Sequence, residues 1–272
     1  MRQNEFDNYI SLIIFASIFL FLILGNIATV SEENIQEIEY DELPSENSEH
    51  PEFTLEYSVV YNGTDTDKDG FIDSYERNDT LLDPDEKDVI VYIVYTDEAR
   101  ISDNDLDEIT EFYKQSPIDN NRGINIHFIE SKNNFTQETT YETTSRHFFS
   151  SVSRKNRSSA HIMYVTENIR ISGDSSILGF AHNQYNFFAV QTRGNDERVT
   201  IAHELGHSLG LLPVKNTAID STRVRYEDYP SIMNYNYRGS GEKELVFADN
   251  EYYDDWEMIE MHMENKDRLL FG

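Results

Sequence analysis

The stretch T-I-A-H-E-L-G-H-S-L-G-L-L-P-V, residues 200–214, sets two histidines four apart, with a glutamate directly after the first. Four residues advance an α-helix by about 400°, so His203 and His207 project from one face, one turn apart. Both imidazoles can then meet a single metal ion. Three residues after the second histidine, Gly210 can take the left-handed conformation that ends a helix and turns the chain. The motif therefore requires a helix over about residues 196–209 and a fold that brings further ligands to its face. There is no cysteine, so zinc must be held by histidines and carboxylates, and no disulfide or cysteine switch is available.

The surroundings of this helix read as alternating strands and helices. D-V-I-V-Y-I-V-Y-T (88–96), I-N-I-H-F-I-E (124–130) and H-I-M-Y-V-T (161–166) are β-branched and aromatic. Helical patterns at about 103–115 and 142–154 lie between them, and this order predicts an α/β layer with at least partly parallel strands. G-F-A-H-N-Q-Y-N-F-F-A-V-Q-T (179–192) reads as a turn feeding another strand, and a last helix is expected over about 250–268.

The chain carries 22 Lys plus Arg against 51 Asp plus Glu, a net charge of -29. Such a surface repels polyanions, which excludes nucleic acid as a partner. Concentrated salt screens the self-repulsion, so the acidity is read as salt adaptation. The hydrophobic content of 38%, with 17 Tyr and 16 Phe, is enough for a folded core. The apolar run at residues 10–24 suits a signal peptide or a membrane anchor, assigned to residues 1–30, and points to an extracellular or cell-surface location. Sequons at Asn62, Asn78, Asn134 and Asn156 fit an exported surface. Residues 31–57 follow as an acidic disordered linker, with ten acidic residues and no Lys or Arg between Ser31 and Glu56.

D-T-D-K-D-G-F-I-D-S-Y-E, residues 65–76, matches the twelve-residue EF-hand loop, within a segment assigned to 58–85. Asp65, Asp67 and Asp69 supply oxygens, Gly70 makes the sharp turn, and the Phe71 carbonyl points inward. Asp73 acts directly or through water, and Glu76 binds bidentately. The preceding F-T-L-E-Y-S-V-V-Y reads as a strand rather than an entering helix. A lone structural Ca2+ site is therefore expected, not a paired sensor.

Glu204 lies on the open side of the metal. There it can take a proton from zinc-bound water and hand it to a leaving amine. Downstream, S-I-M-N-Y at 231–235 joins H-E-L-G-H-S-L-G in a pair of motifs that resembles the metzincin zinc peptidases over residues 86–272. The resemblance implies a metzincin-like mixed α/β sheet with an active-site helix and a C-terminal helix, a catalytic Zn2+, and a peptide or protein substrate. It implies Met233 as an apolar floor beneath the zinc. As in the astacin-like and serralysin-like branches, it brings Tyr235 toward the metal or the tetrahedral oxyanion. The stretch from Gly179 resembles that family's edge strand, which binds an extended peptide by β-augmentation. A competing reading is a calcium-stabilised cell-surface binding module with a degenerate zinc site. Retention of Glu204 speaks against it, because a structural zinc has no use for a general base.

The sequence departs from the metzincin pattern at the third ligand, where Pro213 stands. A catalytic zinc needs three protein ligands and one open position. Either the site lacks a third ligand or one arrives from the insertion after Pro213, where Asp220 is favoured because the apolar Ala218-Ile219 before it can anchor a returning loop against the helix end. His182, His262, Glu227 and Asp228 are the other groups within reach, although the last two sit close to Pro230 and the turn at Met233.

Overall fold

The computed structural model describes residues 63–264 apart from 97, 132–134, 136–137, 153–159, 171–176, 183–184, 194–195 and 242–243. The expected signal or anchor, the acidic linker, the strand before the calcium loop, and Asn62, Asn134 and Asn156 lie outside the described residues. No helix among the described residues is long and apolar enough to cross a membrane.

The elements, in chain order, are α1 (Asp73–Glu76), β1 (Lys87–Tyr95), α2 (Asp103–Lys114), β2 (Ile124–Glu130), α3 (Tyr141–Ser151), β3 (Ala160–Thr166), β4 (Gly179–Ala181), β5 (Phe187–Gln191), α4 (Glu197–Ser208), α5 (Tyr237–Ser240) and α6 (Asp255–Glu264). The five strands form one sheet in the order β2-β1-β3-β5-β4. β2, β1, β3 and β5 are parallel, while β4 runs antiparallel to β5 and forms the edge.

All nine residues of β1 are buried, as a parallel strand covered on both faces requires. Its period-2 pleat sorts them. Val89, Val91 and Ile93 enter an apolar cluster with Tyr113 of α2 and Leu205 of α4. Ile90, Tyr92 and Val94 enter a second cluster with Phe148 of α3. Phe71 and Leu82, from the calcium-loop segment, belong to the second cluster, so that segment and the sheet share a core.

Two elements differ from the sequence reading. Residues 179–192 form a hairpin of two strands, because the short β4 folds back onto β5. The last helix begins at Asp255 rather than 250, since Asp249 and Asp254 close a small bridge that holds residues 250–253 in a loop.

Candidate metal centres

Asp196 caps α4, its side chain accepting from Val199 N at 3.3 Å. The helix then runs to Leu209, and Gly210 closes it with φ +101°. Val199, Ile201, Ala202 and Leu205 sink into the core, and the fully buried Tyr113 donates its hydroxyl to the Ala202 carbonyl at 3.1 Å. His203, Glu204 and His207 are left facing a cleft below edge strand β4.

Each histidine has its ring fixed by a backbone carbonyl. His203 Nδ1 lies 2.9 Å from Ile232 O, and His207 Nδ1 lies 2.6 Å from Leu211 O. With Nδ1–H donating in this way, each Nε2 is a free lone pair aimed into the cleft. The two Nε2 atoms are 3.1 Å apart.

Asp220 arrives opposite them. Its Oδ1 lies 3.1 Å from His203 Nε2 and its Oδ2 lies 3.3 Å from His207 Nε2. The loop carrying it is pinned by buried Ala218 and Ile219 and by Asp220 N donating to Met233 O at 2.9 Å. Asp220 takes a left-handed conformation, φ +54°, which a short Asp tolerates better than most residues. Its Oδ1 is buried and has no hydrogen-bond donor. Ligands held tetrahedrally at about 2.0–2.1 Å from zinc lie about 3.3 Å from one another, so the donor set and its spacing suit that ion.

The other groups considered for the third position lie elsewhere. His182 packs among Tyr141, Tyr185 and Phe187 at ring separations of 5.2, 4.8 and 5.0 Å. His262 lies against Gly210, where an added Cβ would be 2.4 Å from its Cγ. Asp228 is taken by Arg225 at 2.8 and 2.9 Å, and Glu227 is exposed.

Glu204 is buried, and that burial raises the pKa of its carboxyl while His203 and His207 pull it down. Tyr235 stacks on His203 at 6.1 Å and is 54% exposed. Partial burial and the charges of Asp220 and Glu204 push its phenol up to about 12, which keeps it a hydrogen-bond donor at neutral pH. Met233 is fully buried beneath α4, with its Sδ so near Gly206 that a Cβ there would lie 3.0 Å away.

Three features of this site carry little sequence signal. Gly179 of β4 leaves room for Glu204, since an added Cβ would sit 2.5 Å from Glu204 Oε1. Buried Asp255 ties the turn at Met233 to α6 by accepting from Tyr229 Oη at 2.7 Å, Ser231 Oγ at 2.6 Å and Ala248 N at 2.9 Å. Arg238 lines the cleft beyond Tyr235. All three depend on chain segments that meet only in the fold.

In the 65–76 loop, Asp65 accepts from Lys68 N at 2.7 Å and from Gly70 N at 3.1 Å, and Asp69 accepts from Phe71 N at 2.7 Å. Gly70 makes the turn at φ +103°. Carboxylate oxygens of Asp65, Asp67 and Asp69 lie within 4.8 Å of one another, as do those of Asp69, Glu76 and Asp88. Asp88, from β1, is an addition to the residues legible in the motif; its oxygens also accept from Asp83 N at 2.7 Å and lie 2.6 Å from His127 Nε2. Both Glu76 oxygens and Asp67 Oδ2 are buried without a hydrogen-bond partner. Burial and neighbouring carboxylates push Asp67 up to about 9, Asp69 to about 7 and Glu76 to about 8. The unpartnered oxygens of Glu76 and Asp67, beside mutually repelling Asp65 and Asp69, are a donor set suited to a hard divalent cation. Asp73 does not join them. It accepts from Thr66 N and Oγ1, both at 2.9 Å, and pairs with Arg77. Phe71 sends its ring into the core.

No family model matches the chain, and no curated protein matches it. Among solved structures, it is similar to an archaemetzincin from Methanopyrus kandleri, with 12% identity, 68% of this chain and 97% of the other covered, and a TM-score of 0.34. It is also similar to metalloproteinase-II from Bacteroides fragilis (10% identity, 65% and 53% covered, TM-score 0.41). A third is a zinc-dependent peptidase from Methanocorpusculum labreanum (12% identity, 64% and 99% covered, TM-score 0.38).

Proposed function

We propose that this chain is an exported, salt-adapted zinc endopeptidase of the metzincin type. In this reading His203, His207 and Asp220 hold the ion, and the chain is tethered to the membrane by its N-terminal segment if that segment is uncleaved. The observation that carries the reading is the convergence of His203 Nε2, His207 Nε2 and the Asp220 carboxylate at separations of 3.1–3.3 Å beside a buried Glu204. A purely structural zinc takes four closed protein ligands, and among the described residues the groups able to hold a metal here are these three.

When bound, zinc supplies Lewis-acid chemistry, acidifying water and polarising a carbonyl. The protein's own groups do the rest. Glu204 accepts the proton released as water adds to the scissile carbonyl carbon, then donates it to the nitrogen as the C–N bond breaks. One water is consumed, and one carboxylate and one amine result. The Tyr235 phenol donates a hydrogen bond to the developing oxyanion. Edge strand β4 offers its open side to an extended substrate, so main-chain hydrogen bonds align the peptide over Glu204.

The same proposal gives the 65–76 loop a structural Ca2+, held by Asp65, Asp67, Asp69 and Glu76 with Asp88 added from β1. Support comes from the two unpartnered, buried Glu76 oxygens. Zinc stoichiometry and peptide hydrolysis of the purified protein, measured with and without chelator, test the reading. A zinc-loaded protein that binds peptides without cleaving them would favour the binding-module alternative.

A further inference from the structure

Two cavities meet at Gly179, His203, Glu204 and Tyr235, one of about 410 Å³ and the other of about 390 Å³. The smaller is lined by His203, His207 and Asp220 and so contains the metal position, and a peptide lying across Glu204 would place a residue flanking its scissile bond in the larger one. The larger cavity has apolar walls from Ile177, Leu178, Val199 and Ile232, and one charged group besides the catalytic set, Arg238.

Like Arg100 and Arg223, Arg238 has no carboxylate partner among the described residues, and of these three only Arg238 lines the cavity. Acidic residues outnumber basic ones 51 to 22, and Arg77, Arg146, Arg170, Arg193, Arg198 and Arg225 each pair with a carboxylate. Arg238 pairs with none among the described residues. Its one polar contact is a 3.3 Å hydrogen bond donated to Thr200 Oγ1. Thr200 lies one helical turn before Glu204, on the same face of α4, so this bond turns the guanidinium toward the reacting centre. Among the described residues only one of the guanidinium's five donors is used, which leaves an exposed planar fork at the edge of the cavity.

The geometry points to Arg238 as the specificity determinant of this site, and to favoured substrates that carry a carboxylate next to the scissile peptide bond. This rests on the peptidase reading above. A carboxylate meets a generally repulsive surface on this protein, so a single arginine inside the cleft reverses the local preference where it matters. Bidentate Arg–carboxylate pairing, with both partners charged, is strong enough to give about 10- to 100-fold discrimination against the neutral isostere. The carboxylate could come from an Asp or Glu side chain or from a peptide's own C-terminus.

The test uses the zinc-loaded full chain at one fixed ionic strength and three peptide types. The first has Glu flanking the cleaved bond with both ends blocked. The second has Gln there and both ends blocked. The third has Gln there followed directly by a free C-terminus. The wild-type protein is expected to favour the first or third over the second by about 10- to 100-fold in kcat/KM, and which one leads identifies the source of the carboxylate. Arg238→Gln should bring the ratio close to 1, and Arg238→Glu should invert it, with zinc content and melting temperature retained. A second readout is the Kd of the same labelled peptides for Glu204→Ala protein, which needs no turnover. If nothing is cleaved but the carboxylate peptides still bind more tightly and lose that advantage in Glu204→Ala/Arg238→Gln, the selectivity stands and the peptidase reading falls. If all three peptides are cleaved or bound equally, or if the ratio survives Arg238→Glu, the proposal is overturned.

Discussion

Replacing Gly179 by Ala probes how tightly the fold positions Glu204. The added Cβ would lie 2.5 Å from Glu204 Oε1, 2.7 Å from its Cγ and 2.9 Å from its Cδ. Carbon contacts are comfortable at about 3.5 Å, so the carboxylate must retreat by about 1 Å. The clash runs along the whole side chain, and Glu204 is only 6% exposed, so a simple swing of the carboxylate does not relieve it. A displacement of about 1 Å at a reacting group costs on the order of 10²-fold in rate. Gly179→Ala should therefore lower kcat by about 10²-fold while the protein still binds one zinc, because no ligand is touched. Gly239→Ala is the control: an added Cβ there meets nothing within 4 Å, and its kcat should match the wild type. Steady-state kinetics with zinc quantified by a colorimetric chelator reads both. Wild-type turnover by Gly179→Ala would refute the placement of Glu204 at the reaction.

Asp220→Asn keeps the shape of the third ligand but removes its charge, and should weaken zinc affinity by about 10²-fold or more in a competitive chelator titration, since even partners outside the ligand shell cost 10- to 100-fold; unchanged affinity would remove Asp220 from the site. Tyr235→Phe should lower kcat by about 10²-fold with zinc binding intact, and equal turnover would leave the phenol without a role. Calcium at about a hundred times its Kd should stabilise the fold by about 2.7 kcal/mol, which raises the melting temperature by roughly 5–10 °C; coincident melts with calcium and with chelator would reject the loop site. In calcium-free protein, Asp67, Asp69 and Glu76 hold protons to about pH 9, 7 and 8, well above their unfolded values. The native state therefore binds more protons than the unfolded state, and stability should fall as pH rises from about 4 to 9. Saturating calcium should flatten that slope.

The sequence makes some of this architecture legible because local chemistry dictates it. The four-residue spacing of His203 and His207 is a property of any helix, and Gly210 ends that helix in the left-handed conformation its residue type allows. β1, β2 and β3 follow from β-branched and aromatic runs, fully buried in β1 and β3 and half-buried in β2 at the sheet's edge. Apolar Ala218-Ile219 signals that the chain returns to the core just before Asp220, and both residues are buried. Gly179, Arg238 and Asp88 could not be read in this way, because their roles come from segments far apart in sequence. Gly179 meets Glu204 across the β4–α4 contact, Arg238 meets Thr200 at 38 residues' separation, and Asp88 N meets Asp69 at 19. The start of α6 at Asp255 is hidden from the sequence for a similar reason, since the acceptor role of Asp255 toward Tyr229 and Ser231 does not show in a helical pattern beginning at 250.

The most direct test is peptide hydrolysis by the zinc-loaded full chain, wild type against Glu204→Ala, with zinc counted in the same samples. Glu204 is not among the residues that would hold zinc and makes none of the backbone bonds that fix the histidines, so the account predicts one zinc per chain in both proteins and a rate at least about 10²-fold lower in the variant. Equal turnover with equal zinc would contradict it.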